Sequence, residues 1–149
     1  MRRTAASLGS GTDGGRGRAK PGRIPERVVQ QHIVRFLRMV GARVYVLGTV
    51  RRRGDFQGTM QSPGLPDVYA FVPVPSELGR VWFTLWVECK ARGGRLSPEQ
   101  AQFRDQCLEA KQAHIVGGLD DVIALMVRWG VVRTHQVPAY RLTQNGRTA

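Results

Sequence analysis

"VWFTLWVECK" (residues 81–90) is a run of valine, leucine and aromatic residues that ends in Glu88-Cys89-Lys90. Side chains suited to a pleated surface fill both of its alternating faces, the pattern of a central strand covered on two sides. Successive side chains of a strand point to opposite faces. Glu88 and Lys90 therefore share one face, about 6.6 Å apart along the chain, and Cys89 joins Val87 on the other. Charges set into such a strand are costly to bury unless they are paired or hold a metal.

Upstream, "SPGLPDVYAF" (62–71) places Asp67 at the mouth of a second apolar strand, expected over 67–72 and closed by Pro73 and Pro75. Downstream, "SPEQAQFRDQCLEAKQ" (97–112) reads as a helix. Ser97 is a good N-cap, Pro98 suits the first turn and Gln100 completes a capping box. Ala101, Phe103, Cys107, Leu108 and Ala110 are expected to form one buried stripe. A short strand follows in "AHIVGG" (113–118), then a helix in "LDDVIALMVRWG". Towards the N-terminus, Val29, Ile33, Phe36, Leu37 and Val40 recur at helical spacing. Pro25 opens that helix and Gly41 stops it, and "RVYVL" (43–47) follows as a strand. The long polar stretch from Gly48 to Gly64 is a loop or an excursion with a hairpin. The order α-β-β-β-α-β-α predicts a mixed α/β fold with a central sheet flanked by helices. Residues 23–132 form the folded domain, residues 1–22 a flexible basic arm and 133–149 a tail without periodicity.

The 149 residues carry 23 Lys and Arg against 11 Asp and Glu, a net charge of +12. Residues 1–25 and 26–59 each hold a net +5, whereas residues 60–94 are balanced. Such a field attracts polyanions, and nucleic acid is the obvious one. Arg51, Arg52 and Arg53 stand consecutively and are assigned to phosphate contact, as are Arg92 and Arg95 beside the Gly93-Gly94 turn. No apolar run reaches the length of about 18 residues that a membrane span needs, and the N-terminus lacks an apolar signal core. Cys89 and Cys107 fit no zinc or disulfide pattern, and a reducing cytoplasm is expected. His32, His114 and His135 share no zinc spacing. Trp82 and Trp86 are read as packing residues rather than base-stacking ones.

If the strands bearing Asp67 and Glu88 are neighbours, the two carboxylates approach across about 4.8 Å and repel unless something positive intervenes. Mg²⁺, held by one or two carboxylates and several waters, solves that problem, and the backbone carbonyl of Cys89 adds a further oxygen. The adjacent acids favour the ammonium and a bound cation offsets part of that, so a protonated or fluctuating Lys90 is expected to orient the attacking water and stabilise charge on a phosphate. Against this stands a plain alternative: Asp67 starts a strand, and Glu88 and Lys90 form a surface pair.

"GLPDVYAF", "LWVECKARGGRLSPEQAQF" and "AHIVGGLDDVIALM", in that order, resemble the virus-type replication-repair nuclease (VRR-NUC) family of the PD-(D/E)XK nuclease superfamily. The likeness covers residues 26 to about 127. It implies a restriction-endonuclease-like sheet and Mg²⁺- or Mn²⁺-dependent hydrolysis of DNA phosphodiesters, with Asp67, Glu88 and Lys90 as the catalytic core. By the same likeness Gln100 is the family's glutamine near the site, and Glu26 its N-terminal acid and a further metal or water ligand. Gly64 lets the chain approach phosphate or turn sharply before Asp67. The family often has Val or Ile where this chain has Cys89, a departure of little weight because only a carbonyl would touch metal. Short members resemble Holliday-junction resolvases, which implies a homodimer acting on branched DNA in a bacterial or phage-infected cell. Two alternatives stand beside this: a basic DNA-binding accessory protein that no longer cuts, and a monomeric flap or nicking nuclease of DNA repair.

Overall fold

The structure is a computed structural model and describes residues 24–47 and 62–144. Helix α1 (Glu26–Met39) turns Val29, Ile33, Val34, Phe36 and Leu37 inward. Gly41, at φ 86°, ends it, a left-handed conformation that glycine adopts without a Cβ clash. Strands β1 (Arg43–Val46), β2 (Val68–Ser76) and β3 (Gly79–Cys89) follow, then α2 (Pro98–Glu109), β4 (Ala113–Gly117) and α3 (Leu119–Arg128). The sheet order is β1-β2-β3-β4. The first two pairings are antiparallel, and β3 runs parallel to β4. The chain is mixed α/β with a four-stranded mixed sheet and flanking helices.

The alternation of the strands separates the sheet into two unlike faces. Val68, Ala70 and Val72 of β2 and Leu85, Val87 and Cys89 of β3 are buried with α1 and α3 in the main core. The opposite face carries Tyr69, Trp86 and Glu88, and α2 lies against its β4 side through Phe103, whose ring is 5.2 Å from Trp86 and 5.9 Å from His114. Burial of β3 on both faces holds only from about Leu85 onward; Val81, Trp82 and Phe83 are exposed. The expectation of full two-sided cover fails because β2 and β3 run on together as a hairpin, past the helices, to Ser76 and Gly79.

That hairpin corrects a second expectation. Pro73 and Pro75 do not close β2; they lie inside it, opposite Trp82 and Arg80. Leu47 N–H donates to the Asp67 carbonyl, so the backbone polar groups of odd-numbered β2 residues face β1. Since β1 begins at Arg43, opposite Phe71, the prolines meet no ladder there and their missing N–H groups cost no hydrogen bond.

Helix α2 has its capping box: Gln100 N–H donates to Ser97 Oγ at 3.2 Å, and Ser97 N–H donates to Gln100 Oε1 at 2.9 Å. Its expected apolar stripe is not buried as one. Cys107 is buried, but Leu108 is 78% exposed, because the helix leans on β4 by one edge. The C-terminal segment is more ordered than its lack of periodicity implies. A 3₁₀ turn (Thr134–Gln136) leads into α4 (Val137–Gln144), and Tyr140 meets Phe36 edge to face at 5.2 Å. Eight residues are too few for periodicity to emerge from sequence. Among the described residues no helix is long and apolar enough to cross a membrane.

Candidate active site at the Asp67–Glu88 strand pair

Val68 pairs with Val87. Continuing that register by one residue sets Asp67 directly opposite Glu88, on the face away from the main core. Asp67 Oδ2 accepts a 2.8 Å hydrogen bond from Cys89 N–H, which ties the first strand's mouth to the second strand's end. In extended chain a residue's N–H and C=O point the same lateral way, so the Cys89 carbonyl also faces the Asp67 side. On the other flank, Lys90 N–H donates to the Gly117 carbonyl and anchors the end of β3 to β4.

Glu88 is the one buried charged residue among those described, at 2% exposure. Such a group must be compensated, and two donors converge on its Oε1. Lys90 Nζ stands at 3.0 Å and Gln100 Nε2 at 2.7 Å. Gln100 thus serves twice. Its amide oxygen is committed to the Ser97 N–H, which leaves the amide nitrogen facing Glu88 and fixes the orientation of the group. The N-terminal cap of α2 and the carboxylate of β3 are one hydrogen-bonded unit.

Burial raises the Asp67 carboxyl above the usual range; the Cys89 N–H and then Lys90 pull it back, and Glu26 adds a small upward push. Glu88 is likewise raised by burial first, with Lys90 opposing and Asp67 and Glu26 reinforcing. Two partly desolvated acids side by side call for positive charge, and Lys90 meets only part of that call. Glu26, the first residue of α1, is near enough for its charge to be felt at both acids. Burial, with the neighbouring acids, drives the Cys89 thiol far above its ordinary range, so this sulfur is inert and only its backbone bears on the site.

A divalent cation fits this donor set in a particular way. Among the described residues no group of three or more His, Cys, Asp or Glu side chains is gathered to hold a metal. A hard cation needs less from protein. One or two carboxylates, a carbonyl and water suffice for Mg²⁺, and Asp67, Glu88 and the Cys89 carbonyl supply those. The contacts just described fall on Asp67 Oδ2 and Glu88 Oε1.

The remaining expected contacts divide. Arg92 and Arg95 are exposed on the connection between β3 and α2. Arg51, Arg52 and Arg53 lie outside the described residues. Gly64 has a structural role: at φ 86° it packs so closely on α2 that a Cβ would fall 2.6 Å from the Glu99 carbonyl oxygen. Its lack of a side chain seats the loop before Asp67 against the cap of α2. A cleft of about 930 Å³ adjoins the site and is lined by Lys90, Arg92, Gly93, Gly117 and His32 among others, but not by Asp67 or Glu88. The Asp67–Glu88 pair sits on the sheet face beside that cleft.

The fold and this cluster define a class: an α/β protein with two acids, a lysine and a glutamine joined at the ends of adjoining strands. Compared with family models, with curated proteins and with solved structures, the chain matches none.

Proposed function

We propose that this chain is a divalent-metal-dependent nuclease of the VRR-NUC type, with a restriction-endonuclease-like fold, that hydrolyses DNA phosphodiesters. The observation that carries the proposal is the placement of Asp67 opposite Glu88, with Lys90 and Gln100 both on Glu88 Oε1. A surface pair, the plain alternative, does not need a buried acid, a second donor and a facing aspartate.

Asp67, Glu88 and the Cys89 carbonyl would hold Mg²⁺ or Mn²⁺, which when bound neutralises phosphate charge and acidifies water. The residues do the rest. Lys90, an ammonium fixed by its 3.0 Å contact to Glu88, orients the attacking water and stabilises the charge that grows on the phosphoryl oxygens. Water adds to phosphorus as the ester P–O bond breaks, giving a phosphomonoester and an alcohol that takes up a proton. Gln100 holds Glu88 in one rotamer, so that the carboxylate does not reorganise during the step. The positive field draws DNA to the site. A homodimer cutting branched DNA, as in a junction resolvase of a bacterial or phage-infected cell, is the substrate reading we favour, because one site per chain needs a partner copy to cut two strands.

The test uses the full chain and Asp67→Asn with junction, flap and linear duplex DNA, in Mg²⁺, Mn²⁺ or EDTA. Asparagine keeps an acceptor for the Cys89 N–H and so preserves the fold. Metal-dependent cleavage that Asp67→Asn abolishes supports the proposal. Binding without cleavage in any metal would identify a DNA-binding accessory protein, and flap cutting by a monomer a repair nuclease of the other type.

A further inference from the structure

On the sheet face that bears Asp67, helix α2 covers only the β4 side. The β1 and β2 side of that face carries Tyr45, Tyr69 and Phe71, with Arg43 and Trp82 beyond them. Tyr45 is 50% exposed and Trp82 is 42% exposed. The rings form a continuous row: Tyr45 to Tyr69 at 6.2 Å, Tyr69 to Phe71 at 5.1 Å and Tyr69 to Trp86 at 4.4 Å. Sequence parity, read without the register, assigns the tryptophans to packing. The structure supports that for Trp86 but leaves Trp82 exposed, with the Arg43 guanidinium 4.8 Å over its ring.

An aromatic row of this kind on an open face has a cost in water, and it sits two residues along β2 from Asp67, about 6.6 Å. Its charged neighbours are cationic. Arg43 and Arg80 share the face, and the acids on its ladder positions are Asp67 and Glu88 themselves. A basic, aromatic strip that runs up to two carboxylates suits a ligand with flat rings on an anionic backbone.

We propose that this face binds unpaired nucleotides, with Tyr45 and Tyr69 as stacking platforms and Arg43 on the adjoining phosphate. The inference rests on the nuclease reading for the class of ligand. It makes the substrate a DNA with a single-stranded segment beside the scissile phosphate, such as a flap or a branch with an unpaired arm, rather than continuous duplex or a fully paired junction. Bases stack on tyrosine whatever their identity, so the selectivity is for strandedness and not for sequence. A second copy of the chain is the competing occupant; two like-charged strips related by a two-fold axis would repel.

The experiment measures fluorescence anisotropy of a labelled single-stranded oligonucleotide and of its duplex, with the full chain in EDTA across a salt series. Tyr45→Ala is expected to weaken single-strand binding about 5- to 100-fold and to leave the slope against salt unchanged. Tyr45→Phe keeps the ring and keeps wild-type binding. Arg43→Ala lowers the slope by about one. Wild-type affinity of Tyr45→Ala for the single strand overturns the proposal. So does a Tyr45→Ala chain that turns from dimer to monomer in sedimentation while binding single strands normally, which would give the face to a second copy. Because binding is read without metal, the two readings fail separately. Tight single-strand binding by a chain that never cuts refutes the nuclease alone, and cleavage with an indifferent Tyr45→Ala refutes the platform alone.

Discussion

Gln100→Glu separates the two duties of one side chain. Glutamate serves as well as glutamine at this capping-box position, so the bond from Ser97 N–H survives. The other bond does not: a carboxylate oxygen replaces the Nε2 donor that stood 2.7 Å from Glu88 Oε1. A hydrogen bond to a charged group is worth about 1.5–3 kcal/mol. Two full charges at that separation would repel by about 6 kcal/mol at an effective dielectric near 20. The pair escapes the full cost by sharing a proton, so the expected net loss at neutral pH is about 2–4 kcal/mol. With a urea slope of about 2 kcal/mol per molar, the unfolding midpoint falls by about 1–2 M. Acidification supplies the shared proton, and the variant should then converge on wild type. Ser97→Ala, which removes the cap hydroxyl without setting a second charge beside Glu88, is the control and should lose about 1 kcal/mol. A Gln100→Glu midpoint equal to wild type at neutral pH would refute the link to Glu88, as would a loss that acid does not relieve.

Three further outcomes follow from the same geometry. Lys90→Met strands the buried Glu88 carboxylate with one donor and should cost about 3–5 kcal/mol by denaturation, whereas Lys90→Arg should recover much of it. Gly64→Ala forces a Cβ onto the Glu99 carbonyl at a positive φ and should cost about 1–3 kcal/mol, visible as a lowered melting temperature. The pH profile has a definite sign. Asp67 and Glu88 have raised carboxyls in the folded chain, so their contribution is fully present below the ordinary carboxylate range and is lost as pH rises through the raised values. Metal-free protein should therefore lose stability as pH rises out of the ordinary carboxylate range through the raised values, and stabilisation by Mg²⁺ should grow over that window; calorimetry in EDTA and in Mg²⁺ reads both.

What was legible in the sequence was local. The period-two pattern of residues 81–90 placed Glu88 and Lys90 together on the face opposite Cys89, and Ser97, Pro98 and Gln100 announced the start of α2 from four consecutive positions. Helix α1 was visible in its apolar spacing and its glycine stop. The order of elements followed from these signals, because each depends on residues within a turn or two of one another.

What the tertiary structure alone decided was pairing between distant segments. No periodicity says that Asp67 falls opposite Glu88, since a slip of one residue in β2 would send Asp67 to the core face. The bond from Gln100 to Glu88 spans the turn between a strand and a helix, and a capping signal gives no hint of what the free end of the amide will touch. Pro73 and Pro75 read as breakers until it is known that β1 begins too late to need their N–H groups. Among the described residues, the aromatic row stays partly exposed because α2 leans on the β4 side of that face, a matter of where a helix lands. Sequence encodes which faces are apolar; only packing determines which of those faces is left to meet something else.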